Sequence, residues 1–201
     1  MRTLLLLATV LTTTAAAQDP RLERLDPAIR PIVAALVDSA RSNGLPTEPL
    51  VQRALEGATK RAAADVISAA VRRLAADLSR AREALGSGAS PAELVAGAAA
   101  LRSGAHSEIL SDLRRARRQS LIVPLAVLTD LVANGVPVDS ASAAVIALAQ
   151  RANDATLVEF RRAVERDIAL GATPAAAAAA AVMAASVQVN AGARQQRPGR
   201  P

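Results

Sequence analysis

The densest group of side chains that could bind a ligand or a partner in this sequence consists of arginines. Four arginines fall within five consecutive positions, namely Arg114, Arg115, Arg117 and Arg118. A guanidinium group makes paired hydrogen bonds with carboxylate or phosphate, so this arginine cluster is a candidate contact for an anion or a partner protein. On a helix the four side chains cover about 160° of arc. We expect a solvated outer helix face with Asp112 as a local partner, and an anion contact is the alternative.

The 18 acidic residues form the second candidate group, because two carboxylates suffice for glycoside hydrolysis. They are scattered as helix caps and as partners three or four positions from an arginine, as Asp77 is from Arg80 and Glu165 from Arg161. Such pairs stabilise a helix by roughly 0.2–0.5 kcal/mol each. The sequence also has no Trp or Tyr to support a sugar ring. We therefore expect a non-catalytic protein, with a carboxylate-dependent periplasmic hydrolase as the alternative.

The remaining residue types exclude several classes of site. The chain has no cysteine and a single histidine, His106, so it cannot form a disulfide or a zinc site of the usual nitrogen and sulfur type. Ser107 is adjacent to His106, and no nucleophile motif surrounds the two residues. Phe160 is the single aromatic residue, which leaves little for stacking on bases. We expect no cofactor, no metal and no nucleic-acid partner.

The first seventeen residues are typical of a secretory signal peptide. Arg2 is followed by an apolar run that contains Leu4 to Leu7, and Ala15 to Ala17 supply the small residues that a signal peptidase reads. Cleavage is expected after Ala17, and the lack of cysteine argues against a lipoprotein. The sequence thus predicts a periplasmic or secreted protein. The apolar runs after residue 17 are too short for a transmembrane segment.

The body of the chain is nearly neutral. Of the net charge of +6, Arg2 belongs to the predicted signal peptide, and three further arginines belong to a Gly/Pro/Gln-rich end. Without these four residues, a net charge of +2 remains for residues 18–193. We expect residues 191–201 to be a disordered basic tail. The expected partner is another envelope protein or an anionic envelope surface.

Hydrophobic spacing predicts an all-α domain over residues 27–190, after an N-terminal linker at 18–26. The clearest seam has intervals of three and four residues: Ile67, Val71, Leu74, Leu78, Ala81 and Leu85. Ser90, Pro91 and Glu93 match a capping box at the start of another helix. Because Pro124 lacks an amide hydrogen, we expect a helix break near residues 118–123 and a buried helix after it.

Glycine followed by proline or a hydroxyl residue recurs along the chain. These marks begin near residues 44, 88, 135 and 171, and each separates two amphipathic helical stretches. Helix-pair units of roughly 40 residues are typical of α-solenoids. An irregular helical bundle needs similar punctuation, so both architectures are open. The expected role is a protein-interaction module or an envelope-associated structural module.

Overall fold

The computed structural model describes residues 19–195, with side chains described as far as residue 187. This part of the chain is all-helical and contains no strand. A short 3₁₀ helix, Pro20–Arg24, precedes nine α-helices. These are α1 (Arg30–Ser42), α2 (Glu48–Thr59), α3 (Ala64–Leu85), α4 (Pro91–Arg102), α5 (Ser107–Ala116), α6 (Ile122–Ala133), α7 (Val138–Ala149), α8 (Asp154–Ala169) and α9 (Pro174–Gln195). The all-α prediction is confirmed.

Local signals place several helix ends as expected. The Ser90 hydroxyl accepts a hydrogen bond from the Glu93 amide, and the Glu93 carboxylate accepts one from the Ser90 amide, which confirms the capping box. The expected break lies between α5 and α6, at residues 117–121. Pro124 is the third residue of α6. At that position a helix has no internal acceptor for an amide hydrogen, so proline is tolerated.

The helices stack in chain order. The helices α1, α3, α5, α7 and α9 pack successively against one another, and we call this series the odd-helix row. Helices α4, α6 and α8 form a second row, while α2 packs on α3. Every extensive contact among the described elements joins neighbours that are at most two places apart in the chain. This order of contacts is the one expected when successive helix pairs stack side by side.

The core is built from leucine, valine, isoleucine and alanine. All six residues of the α3 seam are buried, as its spacing predicts. Phe160 is also buried, in α8. At the C-terminal end of the stack, the described side chains of α9, up to residue 187, contribute only alanines to the buried core, at positions 177, 178, 181 and 185. Because alanine side chains are small, α9 can approach α7 and α8 closely. For the same reason each alanine buries little area.

Five of the helices are followed by a residue with positive φ and share one pattern of terminal hydrogen bonds. Gly44, Gly104, Gly135 and Gly171 have positive φ after α1, α4, α6 and α8, and Arg61 takes the same conformation after α2 at φ 54°. At each of these ends two backbone amides bond back to carbonyls of the last turn, which is the Schellman pattern. At the mark near residue 88 the residue with positive φ is Gly86, directly after α3, and Gly88 does not share this conformation.

The two ends of the domain differ from a simple linker and tail. Within residues 18–26, the 3₁₀ helix and the residue after it bury Leu22 and Leu25 in the core. At the other end α9 continues to Gln195, into the segment expected as a tail. Residues 1–18, which include the predicted signal peptide, and residues 196–201 lie outside the described residues.

Candidate functional site

The structure separates the four arginines of the arginine cluster. Arg114 and Arg115 lie in the last turn of α5, while Arg117 and Arg118 follow it in the break. The exposed fraction of the side chain is 28% for Arg114, 77% for Arg115 and 7% for Arg117. Arg118 is exposed and makes no ion pair with any described residue. The expected single solvated face therefore divides into two arginines committed to the fold and two at the surface.

Arg114 belongs to a buried junction centred on Glu93. Its Nη2 lies 2.6 Å from Glu93 Oε1, and the same oxygen accepts a hydrogen bond of 2.9 Å from the Leu121 amide. Glu93 Oε2 accepts from the Ser90 amide at 2.8 Å. One carboxylate thus joins the start of α4, the end of α5 and the residue that precedes α6. We call these contacts the Glu93 junction.

The protonation of Glu93 follows from these partners. Burial by itself raises the pKa of the carboxyl group, because it disfavours the charged form. Hydrogen bonds from the Ser90 and Leu121 amides and from the Arg114 guanidinium outweigh burial and lower the pKa to about 2. The group is therefore a carboxylate at neutral pH, and its oxygens serve the backbone and Arg114.

Arg117 connects the break to a more distant helix. Its Nη2 lies 2.5 Å from Oδ1 of Asp154, the first residue of α8, and its Nη1 lies 3.4 Å from the Ala152 carbonyl oxygen. Arg117 Nε is buried and has no hydrogen-bond partner among the described residues. The Arg117 guanidinium is buried against Asp154, so its contacts are made within the protein.

Three other arginines also form hydrogen bonds or ion pairs with a different element of the fold. Arg21 bonds Glu48 at 2.6 and 2.8 Å, which joins the 3₁₀ helix to α2 and lowers the pKa of the Glu48 carboxyl. Arg82 of α3 donates to the Gly44 carbonyl oxygen at 2.7 Å. Arg161 of α8 pairs with Asp130 of α6. With Arg114 and Arg117, five arginines of the described residues therefore connect different elements of the stack.

Arg115 lines a groove between α3 and α5. It pairs with Asp112, the local partner expected from the sequence. The groove contains two carboxylates, two guanidinium groups and two hydroxyls, from Arg80, Glu83, Ser107, Glu108, Ser111 and Arg115. Sequence reasoning did not identify Glu83 and Glu108 as a pair. They are 25 positions apart in the printed sequence, and only the packing of α3 against α5 brings both residues to one groove.

Further grooves lie along the odd-helix row. Between α1 and α3, the lining residues combine apolar and polar side chains, namely Leu36, Ser39, Asn43, Leu45, Ser79 and Arg82 among others. Between α7 and α9, the lining is mostly alanine, with Ser140, Val182 and Met183. A shallow depression beside the first groove is lined by apolar residues, including Pro31, Ile32 and Leu36, and by Arg72. These recesses and the α3–α5 groove all lie between consecutive helices of the same row.

The remaining candidate features are a metal site, His106 and a membrane-spanning helix. Within residues 19–195, no group of three or more histidine, cysteine or acidic residues is arranged to hold a metal ion. His106 occupies the N-cap position of α5 but makes no capping hydrogen bond there. No helix in the part of the chain that the structure describes is long and apolar enough to cross a membrane. Comparisons of the chain find no matching family model, no matching curated protein and no matching solved structure.

Proposed function

We propose that the protein is an exported, non-catalytic interaction module that binds a protein partner along the odd-helix row. The observation that carries this proposal is the series of grooves between α1 and α3, between α3 and α5, and between α7 and α9. Stacked helical proteins use an extended surface of this kind to bind other proteins. A partner that lies across the row contacts several helices at once.

The grooves differ in chemistry along the row. The two N-terminal grooves include the charged residues Arg82, Arg80 and Arg115 together with Glu83 and Glu108. The α7–α9 groove has no charged residue in its lining. A partner with polar groups at one end of its contact surface and apolar side chains at the other fits this order. The charged end contributes specificity, since rim charges steer association more than they add affinity.

The Glu93 junction supports a non-catalytic role. A general acid needs a carboxyl group that can exchange protons near the working pH. Glu93 is a buried carboxylate that accepts three hydrogen bonds, and its pKa of about 2 places its titration far below neutrality. Its bonds to α4, Arg114 and Leu121 explain its burial by structure alone.

Export is supported by the sequence of residues 1–17. The apolar run and the alanines before Gln18 match the requirements of a signal peptidase. Mass spectrometry of the protein recovered from the periplasm or the medium tests this part of the proposal. The expected N-terminus is Gln18, and recovery of uncleaved protein from the cytoplasm alone would contradict it.

Site-specific photo-crosslinking tests the binding surface. A photoreactive amino acid is placed at Ser79 or at Ala143, which line two different grooves of the odd-helix row. Matched controls carry it at the exposed positions Gln52 of α2 and Glu159 of α8. In cells, both row positions should capture the same protein and neither control should. Equal capture from all four positions, or none from the row, overturns the proposal.

The alternative of a carboxylate-dependent hydrolase has one observation in its favour, the shared groove of Glu83 and Glu108. Hydrolysis by two acids requires both carboxylates, so Glu83→Gln and Glu108→Gln should each abolish cleavage of glycan substrates. Glu159→Gln, an exposed substitution in α8, is the control. If the unmodified protein releases no product from peptidoglycan or from a glycan panel, the interaction module is favoured.

A further inference from the structure

Two recesses adjoin along α1 and α3. One is the groove that includes Leu45, the other is the depression that includes Ile32, and Leu36 lines both. Ile32 is 38% exposed, whereas Leu36 and Leu45 are partly buried against the core. These three side chains give the combined recess an apolar floor on the α1 side. We call the two recesses together the α1–α3 channel.

The α3 side of the α1–α3 channel supplies arginines. Arg72 lines the part that includes Ile32, and Arg82 lines the part that includes Leu45. Neither arginine makes an ion pair with a described residue. Arg82 donates to the Gly44 carbonyl oxygen at 2.7 Å, which holds its guanidinium beside the end of α1. Since a helix rises by 1.5 Å per residue, the two arginines lie roughly 15 Å apart along α3.

The acidic residues nearby leave this positive charge largely uncompensated. Glu83 lines the channel and also the α3–α5 groove, and its Oε1 accepts a hydrogen bond of 3.4 Å from the Ser79 hydroxyl. Asp38 of α1 and Asp77 of α3 are already paired with arginines of their own helices. Arg72 is the charged residue in the lining of the depression, which contains no carboxylate from the described residues. The channel therefore favours an occupant with negative charge, above all at its Arg72 end.

The packing of α2 shows that α1 and α3 accommodate a helix between them. Helix α2 packs on both α1 and α3, and none of its residues lines the α1–α3 channel. The channel therefore opens on another face of the same helix pair. With 12 residues, α2 is roughly 18 Å long. A second helix of similar length in the channel reaches from Arg72 to Arg82.

We propose that the α1–α3 channel binds an acidic amphipathic helix of the partner protein. The apolar stripe of that helix packs on Ile32, Leu36 and Leu45, and acidic side chains about three turns apart meet Arg72 and Arg82. Helices bind in grooves through apolar residues spaced three, four and seven positions apart, and guanidinium groups pair with carboxylates. The inference rests on the proposed function, because the helix belongs to the partner of the odd-helix row.

Selection from a random peptide library displayed on phage tests the chemistry of the occupant. The library has no imposed charge or pattern, and the target is the chain from residue 18 to 201. Enriched peptides should have apolar residues at helical spacing and Asp or Glu near both ends. One enriched peptide is then synthesised with a single tryptophan, whose fluorescence reports binding because the protein itself has no tryptophan or tyrosine. Enrichment of basic peptides, of peptides with strand-like alternation, or of none overturns the proposal.

Two pairs of variants place the selected peptide in the α1–α3 channel. Arg72→Glu should weaken its binding about tenfold, because a like charge replaces the attractive one. The matched control is Arg73→Glu, an exposed neighbour outside the channel lining, which should change affinity less than about twofold. Ile32→Gln should also weaken binding, whereas Val66→Gln, at an exposed apolar residue outside the lining, should not. Equal effects within each pair, in variants that keep their helical circular dichroism, would place the peptide elsewhere and contradict the proposal.

Photo-crosslinking at Ser79, which lines the channel, separates this inference from the proposed function. Mass spectrometry identifies the segment of the captured protein that is bonded to this position. An acidic amphipathic segment supports both proposals. A basic or strand-like segment leaves the interaction module intact and overturns the acidic helix. If acidic peptides bind and depend on Arg72 while cells yield no common captured protein, the channel specificity holds and the proposed function fails. A dimer that Arg72→Glu dissociates in analytical ultracentrifugation would show that a second copy fills the channel, which also overturns the inference.

Discussion

The carboxylate of Glu93 accepts hydrogen bonds from three parts of the chain, namely the N-cap of α4, the last turn of α5 and the last residue of the break that follows α5. A buried charge is favourable only when its partners replace the water that it loses. Here the partners are two backbone amides and the guanidinium of Arg114. The same arginine that resembles a surface ligand in the sequence therefore acts as the counterion of a buried acid.

Replacing Glu93 with glutamine should lower the free energy of unfolding by about 3 kcal/mol, because the amide leaves Arg114 without its counterion and cannot accept all three hydrogen bonds. Urea denaturation monitored by circular dichroism measures the effect. The control Glu159→Gln, at an exposed site, should change stability by less than about 0.5 kcal/mol. A similar small effect at both positions would show that the Glu93 junction contributes little.

The Glu93 junction also predicts how stability depends on pH. Since the folded pKa is lowered from 4.5 to about 2, the unfolded chain binds a proton more readily than the folded protein does. The contribution of Glu93 is complete above pH 4.5 and is lost as the pH falls towards 2. Denaturation curves from pH 6 to 2 should show this loss in the original protein and less of it in Glu93→Gln. Parallel curves for the two proteins would contradict the assignment.

Arg117 and Arg115 should respond differently to the same substitution. Arg117→Gln removes the buried partner of Asp154 and should destabilise the fold by about 2 kcal/mol. Arg115→Gln removes an ion pair whose arginine is 77% exposed, and such pairs contribute roughly 0–1 kcal/mol. The comparison of their urea midpoints is internally controlled, since both changes remove one positive charge. Equal effects would contradict the structural separation of the arginine cluster.

At the scale of the element, several helix ends share one backbone conformation, although different residues adopt it. Gly135 and Arg61 both follow a helix in the left-handed conformation, at φ 85° and φ 54°. Glycine adopts this region without a side-chain clash, whereas another residue is strained there. Arginine is therefore an unfavourable residue for the backbone conformation at position 61. Because Arg61 is exposed and makes no ion pair with a described residue, little is lost by replacing it.

Arg61→Gly should raise the free energy of unfolding by about 0.5–1 kcal/mol, the relief of left-handed strain less the greater entropy of glycine in the unfolded chain. Gly135→Ala should lower it by about 1–2 kcal/mol for the opposite reason. Thermal denaturation at neutral pH measures both shifts. Destabilisation by Arg61→Gly would indicate that the arginine side chain makes a stabilising contact that outweighs its strained backbone.

At the scale of the whole molecule, the order of contacts determines how the protein opens. Among the described elements, extensive contacts join only those that are at most two places apart in the chain, so cooperativity passes from layer to layer. Central helices have neighbours on both sides, while α9 has a neighbour in its row on one side only. Its core contribution consists of alanines, each of which buries little area.

Hydrogen exchange should therefore be graded along the stack. Amides in the middle of α4 and α6 are expected to exchange slowest, and those of α9 faster, by local opening that leaves the centre folded. Mass spectrometry of exchanged peptides resolves the helices separately. Uniform protection from α1 to α9 would instead indicate all-or-none opening, as in a closed bundle.

Local signals in the sequence were sufficient for most of the secondary structure. The α3 seam, the Ser90–Glu93 capping box and the break before α6 depend on residues within one or two turns of each other, and all three are confirmed. The same reasoning placed a glycine mark at Gly88, whereas Gly86 takes the positive φ. Two glycines so close together offer the same conformational freedom, and Gly86 is the one that directly follows Leu85, the last residue of α3.

The candidate site could be predicted only as residue types. The sequence by itself determined that helices form, which faces are apolar and that arginine is the available charged group, because these follow from spacing and side-chain chemistry. Only the tertiary structure decided that Arg114 meets Glu93, 21 positions away, and that Arg117 meets Asp154, 37 positions away. The stacking register sets these partners, and it depends on many apolar contacts summed over several helices. No single motif encodes that sum.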